Sequence, residues 1–378
     1  EVLEHFRSGI GERGNRLSTT WSDAYDDYAA RYPEPAQQFR TMQSRGLPAG
    51  WDAKVTAFEP DEKGVATRAA SGRVLNQLAE RVPWVMGGSA DLAPSNKTLL
   101  TFEGAVDFTA GERSGRNLHF GVREHAMAAA ANGMALSGMR SYAGTFLVFS
   151  DYMRPAVRLS ALMELPVTYV FTHDSISVGE DGPTHEPVEH LASLRAVPNL
   201  IVIRPADANE VVDAWRFIME SKDAPVALAL SRQKLPVIDR TKHPASKVAL
   251  GGYVLADTEG APDVLLIATG SEVSLCLEAR EMLEAHGIGA RVVSLPSWEL
   301  FERQSADYRE SVIPPDVTAR VTVEQASPLG WERYAGPAGE VLGIRTFGAS
   351  APGEDVERAF GFTPEHVAEA ARRQLKKL

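Results

Sequence analysis

Two stretches of this sequence put chemically capable side chains where packing alone does not call for them. In "HFGVREHAMAAAANGMALSG", residues 119–138, Glu124 falls on one face of an expected helix with Met127, Ala128, Ala131, Ala135 and Gly138, the i, i+3, i+4, i+7 pattern of a core-facing stripe. None of those side chains offers a hydrogen bond. A carboxylate buried without a partner costs roughly several kcal/mol or takes up a proton, so burial here demands a partner from elsewhere. The alternative is a partly exposed carboxylate at a helix start, favoured by the macrodipole. The second stretch, "HDSISVGEDGPTHEPVEH", carries His173, Asp174, Glu180, Asp181, His185, Glu186, Glu189 and His190. A solvated loop with turn chemistry accounts for it. So does acid–base and hydrogen-bonding work on a polyol, with His173, His185 and Asp181 touching hydroxyl or phosphate oxygens while a histidine moves protons near neutral pH. His185 and His190 lack a recognised metal-ligand spacing, and no metal ligand is assigned.

Elements that could position these residues alternate between strand and helix from about Thr67 onward. "WVMGGSADL", "RSYAGTF", "PVTYVFTH", "LIVIRPA" and "PVALALSR" read as strands. Amphipathic or small-residue helices lie between them, such as "ATRAASGRVLNQLAERV" and "DANEVVDAWRFIMES". Strand–helix–strand at this spacing predicts a parallel sheet with helices on both faces, and ligands collect beyond the carboxyl ends of such strands. Asp91 and Ser95 follow one expected strand, His173 another, and Arg232 ends a third. "QKLPVIDRTKHPASK" is polar and proline-bearing and reads as a linker. A second unit of the same kind follows it, with "DVLLIATGSEVSLCLEAREMLEAHGIGARVVSLPS" at its centre and a terminal helix from Pro364. The Gly-Ser turn in "IATGSEV" suits a phosphate loop or a tight strand-to-helix connection; packing and dimer contact are expected there. The expected fold class is α/β, two consecutive doubly wound domains with mainly parallel sheets, preceded by a partly helical connecting arm. The boundaries are 1–60 for the arm, 61–240 for the first domain and 247–378 for the second.

Composition narrows the function classes. With 44% hydrophobic and 24% charged residues over 378 positions, the chain has the profile of a globular protein with two or three domains of about 150 residues each. A single cysteine, Cys276, excludes a disulfide framework and any cysteine-built metal site, and suits a reducing compartment, so the cytoplasm is expected. The formal net charge of −11 with no basic tract argues against nucleic acid as a partner. No apolar run reaches the roughly 18 residues of a membrane span, and no signal peptide is visible. The chain opens at Glu1 inside the polar helical stretch "EVLEHFRSGIGERGNRL", which suggests an interior cut and an upstream segment.

Five segments in one order, "GGSADLAPSNKT", "FGVREHAM", "TFLVFSDYMRPAVRLSALM", "HDSISVGEDGPTHEPVEHLASLR" and "LALSRQKLP", resemble the pyrimidine-binding and C-terminal domains of the transketolase family. The resemblance runs from about Ala66 to the end, with residues 1–60 resembling the family's interdomain connection. It implies a thiamine diphosphate enzyme that moves a two-carbon ketol unit between a ketose phosphate and an aldose phosphate. Glu124 and His185 then stand as catalytic residues, Glu124 facing a ring nitrogen of the aminopyrimidine. Phe146, Phe149 and Tyr152, which by spacing alone read as a core stripe, would line the pyrimidine, and Asp91, otherwise a turn aspartate, would lie near the thiazolium across a dimer interface. Arg68, Ser95, His173 and Arg232 would grip substrate phosphate, and Asp181 and His185 would meet sugar hydroxyls. The family's Gly-Asp-Gly element and later Asn, which hold magnesium or another divalent cation and the diphosphate, have no counterpart here. The implied partners are therefore sugar phosphates, a second copy forming a homodimer through both domains, and a diphosphate-binding domain or separate subunit, with no nucleic acid or membrane. This chain alone is expected to be a weak or inactive catalyst. Dihydroxyacetone synthase, a 1-deoxyxylulose-5-phosphate synthase-like enzyme and a non-catalytic dimerising or regulatory module are the competing readings.

Overall fold

The computed structural model describes residues 1–377 and divides the chain into two compact units, 1–49 and 50 onward. The first is a run of helix. Glu12–Arg31 is followed, after a break at Tyr32, by Pro33–Gln43, with proline at the first helical position, where its missing N–H costs nothing. Trp21 stacks on Tyr25, Phe39 tilts against both, and the Tyr25 hydroxyl donates to the Ala36 carbonyl at 2.8 Å. Ala36 is its one buried residue. These residues build no core of their own.

The described residues of the second unit form thirteen strands: β1 Asp61–Ala66, β2 Val85–Ser89, β3 Asn117–His119, β4 Arg140–Phe146, β5 Thr168–Thr172, β6 Ile201–Ile203, β7 Val226–Leu230, β8 Lys234–Val237, β9 Tyr253–Ala256, β10 Val264–Ala268, β11 Ala290–Ser294, β12 Arg320–Val323 and β13 Glu340–Leu342. The order β3-β2-β4-β5-β7-β6 makes one fully parallel sheet. β6 and β7, IVI and VALAL, are continuous apolar runs, as strands covered on both faces can be. On one face the helices Glu124–Leu136 and Ser150–Leu162 pack over Tyr169, Phe171, Ala227 and Ala229. Elsewhere, Thr67–Arg81 and Ala208–Glu220 pack together, joined by Trp215 Nε1 donating to Ser71 Oγ at 2.8 Å. The chain leaves β2 for β3 on one side and resumes at β4 on the other, so the sheet has a switch point between β2 and β4, where a crevice opens at the carboxyl ends.

The second sheet runs β13-β12-β10-β11-β9, parallel except for β9, which pairs antiparallel with β11 at the edge. Its switch point lies between β10 and β12. The helices Glu272–Glu284 and Pro364–Leu375 cover it, and Cys276 lies fully buried among Leu266, Val292 and Val367 in that core. The expected fold class is thus observed.

Two local expectations are corrected. The segment read as a linker contains β8, which pairs antiparallel with β1. Leu235 and Val237 are buried while Lys234 and Pro236 are exposed, an alternation too short to see beside a proline, which a two-stranded edge tolerates. Gly138 lies beyond the end of the Glu124–Leu136 helix, with φ of 90°, and so is not part of the stripe that holds Glu124.

Candidate active site

The carboxyl edge of the first sheet gathers most of the residues singled out. Phe146 ends β4, His173 follows β5 directly, Arg232 follows β7 by two residues, and Asp91 follows β2. Two of these, Asp91 and His173, have φ of 61°, a left-handed conformation uncommon for residues with a Cβ and kept only where the surroundings hold it.

His173 is buried and stacks on Phe146 with ring centroids 3.7 Å apart. Phe146 in turn stacks on Phe149 at 5.8 Å, and Phe149 tilts against Tyr152 at 6.2 Å. His185 meets both phenylalanines edge-on, at 6.2 Å and 5.5 Å. The three aromatics are therefore a shelf leading out of the sheet, not one helical stripe: Phe146 is strand, Phe149 ends a short turn, and Tyr152, on the following helix, is 66% exposed. An aromatic left open beside a buried imidazole suits a planar ligand.

The cations are arranged against one another. Arg68, at the start of Thr67–Arg81, donates through Nη1 to the Ser95 carbonyl at 2.7 Å. Burial, with Arg232 second, lowers its guanidinium below the ordinary value. Burial first, then Arg68, Arg232 and His185, push the His173 imidazole down to about 3, so His173 is neutral near pH 7. The Thr172 hydroxyl accepts from Asn96 Nδ2 at 2.7 Å and lies 2.8 Å from His173 Nδ1. Among the described residues no carboxylate pairs with Arg68 or Arg232, and two guanidinium groups beside a neutral imidazole can bind an anion.

Glu124 opens its helix as the sequence suggests, 8% exposed, with Met127, Ala128, Ala131 and Ala135 buried on the same face. Among the described residues no hydrogen bond or ion pair engages it. Asp181 and Asp91 are exposed, and no hydrogen bond or ring contact ties either to the cluster. His185 and His190 do not form a pair: His185 belongs to the aromatic shelf, and His190 Nε2 lies 3.2 Å from Asp151. With Glu189, those two make a grouping that could hold a metal among the described residues, but both carboxylates are solvent-exposed.

Sequence reasoning missed Asn96, Thr172 and above all Arg204. Arg204 follows β6, is fully buried, and donates from Nε to Asp174 Oδ2 at 2.8 Å. The one signal was a charge directly after the apolar run "LIVI".

An α/β protein with an aromatic shelf, two guanidinium groups and a partnerless acid along one parallel sheet can hold an anion next to a planar ring. Residues 63–237 match the transketolase pyrimidine-binding domain and residues 251–363 the transketolase-like C-terminal domain. The chain belongs to the transketolase family. It is 55% identical over its whole length to a transketolase of Halalkalibacterium halodurans, covering 56% of that protein, and 52% identical to one of Bacillus subtilis, again covering 56%. A Pichia stipitis transketolase solved with sedoheptulose 7-phosphate superposes with a TM-score of 0.90 at 42% identity, over 97% of this chain and 54% of that one. A chain described as a split-gene transketolase, an inactive β4 tetramer, superposes with a TM-score of 0.66 at 27% identity, over 83% of this chain and 99% of that one. The chain thus spans about half the length of the curated relatives it matches.

Proposed function

We propose that this chain supplies the pyrimidine-facing and sugar-phosphate-facing half of a transketolase active site, for reversible transfer of a two-carbon ketol unit from a ketose phosphate to an aldose phosphate. The observation that carries this reading is Glu124: an acidic residue 8% exposed on an apolar helix face, with no hydrogen bond or ion pair among the described residues. An aminopyrimidine nitrogen completes it, and in a dry pocket that hydrogen bond is strong. The residues present fit thiamine diphosphate on this chain's side, with Glu124 on the ring nitrogen, Phe146, Phe149 and Tyr152 along the ring and Asp91 toward the thiazolium. Thiamine diphosphate supplies the carbon nucleophile that carries the two-carbon unit. Glu124 holds and moves a proton at the ring nitrogen. Arg68, Ser95, Arg232 and His173 bind the substrate phosphate. Asp181 and His185 orient the hydroxyls near the reacting carbon, His185 serving there as a proton carrier.

The ligands for the diphosphate and its divalent cation, magnesium or another, belong in this reading to a diphosphate-binding portion outside these residues, in the same polypeptide or a separate subunit. The split-gene neighbour, named as an inactive tetramer and nearly spanned by this chain, supports low activity for this span by itself. Homodimerisation through residues 61–240 and 247–378, taken as the pyrimidine-binding and C-terminal domains with 1–60 as the connecting arm, is the implied assembly. Exposed Val122, Leu136, Tyr152, Leu159, Leu162 and Met163 on or beside two neighbouring helices support an interface there. No helix among the described residues is long and apolar enough to cross a membrane, and a cytoplasmic site of action suits the substrates. Combining the chain with a diphosphate-binding portion, thiamine diphosphate and magnesium should give ketol transfer from xylulose 5-phosphate to ribose 5-phosphate. Glu124→Gln should abolish most of it, and undiminished turnover in that variant would refute the assignment.

A further inference from the structure

We infer that Arg204 is a positioning residue through which the second sheet sets the backbone of the His173–His185 loop. Its consequence for substrate rests on the anion-site reading above; the tie itself rests on geometry alone. All three nitrogens of the fork are engaged. Nε reaches Asp174 Oδ2 at 2.8 Å, Nη1 reaches the carbonyl and hydroxyl of Thr269 at 3.1 Å each, Nη2 reaches Ser271 Oγ at 3.2 Å, and Nη1 also meets Glu272. The backbone closes round the same group. Gly270 N donates to the Arg204 carbonyl at 3.1 Å, and a Cβ on Gly270 would sit 2.6 Å from the guanidinium carbon, so only glycine fits that turn. Asp174, adjacent to left-handed His173, is thereby fastened to the switch point of a sheet that lends no residue to the site.

Further ties run along the loop. Ser177 Oγ donates to Gln325 Oε1 at 2.8 Å and also meets Glu357, while Ser350 Oγ donates to the Glu180 carbonyl at 2.7 Å. Ile176 and Val188 are buried in the second sheet's own core with Val323 and Val356. A buried ion pair is weak evidence for stability, since apolar residues of similar volume often serve as well. What a five-donor fork adds is fixed direction, and His173 in a left-handed conformation needs its neighbour held. The contacts that place His173, Asp181 and His185 therefore come from Thr269–Glu272, Gln325 and Ser350–Glu357.

The test uses the full chain with Asp174→Ala, Asp174→Asn and Ser177→Ala. Asp174→Ala leaves Arg204 paired with Glu272, and Asp174→Asn keeps an oxygen for Nε. Amide exchange over residues 173–186 should accelerate by about tenfold or more in Asp174→Ala, with β10–β12 unchanged, and return toward the parent in Asp174→Asn. With the diphosphate-binding portion supplied, KM for a ketose phosphate should rise about tenfold in Asp174→Ala with kcat changed less than about threefold. A folded Asp174→Ala with parental loop exchange overturns the inference. Should Asp174→Ala fail to fold, Ser177→Ala decides: faster exchange confined to the loop supports the tie, and parental exchange overturns it. Loop exchange that rises as expected while inorganic phosphate protects the 173–186 and 231–234 amides in no variant or parent refutes the anion-site reading and leaves the tie standing.

Discussion

Each parallel sheet opens a crevice at its switch point, and the two are used in opposite ways. At the first, among the described residues, Arg68 and Arg232 have no carboxylate, Glu124 has no hydrogen bond or ion pair, and the Tyr152 ring stands open. At the second, the corresponding space between β10 and β12 is filled from within by Arg204. It is ringed by Asp174, Thr269, Ser271 and Glu272, while Glu324, just past β12, takes a two-pronged contact from Arg195 at 2.7 Å on each oxygen. The same architecture yields a ligand site where charged groups are left unpaired and a structural joint where the protein pairs them with one another. Unfinished groups are the signature of function because their desolvation is repaid only when something binds.

The contrast can be broken in four ways. The largest effect is expected at the open edge: Glu124→Ala, in the chain combined with its diphosphate-binding portion, should lower kcat by about 10²–10⁴, read from coupled turnover at saturating cofactor. At the closed edge, Arg204→Met strands Asp174 and Glu272 in the interior and should cost about 3–5 kcal/mol in urea unfolding; a cost near zero would mean that the joint is dispensable. Arg232→Ala should raise KM for phosphorylated sugars by about 10- to 100-fold and leave unphosphorylated analogues nearly unchanged. Equal effects on both would remove it from the phosphate site.

Acid separates the edges more gently. His173 is held at about 3, chiefly by burial and then by Arg68 and Arg232. The unfolded chain therefore binds the extra proton first, and stability present above the ordinary histidine value is lost as pH falls toward 3. Glu324, which burial alone would raise, is held at about 2 by Arg195 and Arg204, so its contribution is lost lower, between the ordinary glutamate value and about 2. His173→Gln should flatten the urea midpoint between about pH 6.5 and 4.5, above the range of Glu324, and make its fall shallower from there to about 3; an unchanged upper slope would show that His173 is not the group responsible.

The open edge was the legible one. His173 and Arg232 follow apolar strands, and strand ends in a parallel sheet are where ligands collect, so pattern and position agree in the sequence itself. The face of Glu124 followed from helical spacing, save that the helix stops before Gly138. The roles of the individual residues came from resemblance, not from spacing. β1 and β8 escaped because "DEKGVA" is polar and "KLPV" carries a proline; their pairing rests on Gly64, where a Cβ would lie 2.2 Å from the Leu235 carbonyl oxygen. Arg204 escaped for a different reason. A charge after an apolar strand looks like an exit to solvent, and the partners that make burial tolerable lie 30 positions before it and 65–68 positions after it.

Cys276 turns this arrangement into something that can be timed. Its thiol sits one turn beyond Glu272, wholly enclosed, and burial with Glu272 nearby raises it far above a reactive value. An alkylating reagent in excess therefore marks only molecules whose second sheet has come apart, one adduct per molecule, countable by mass. The chain carries its own clock for the half that grips the loop, and that clock runs whether or not any substrate is present.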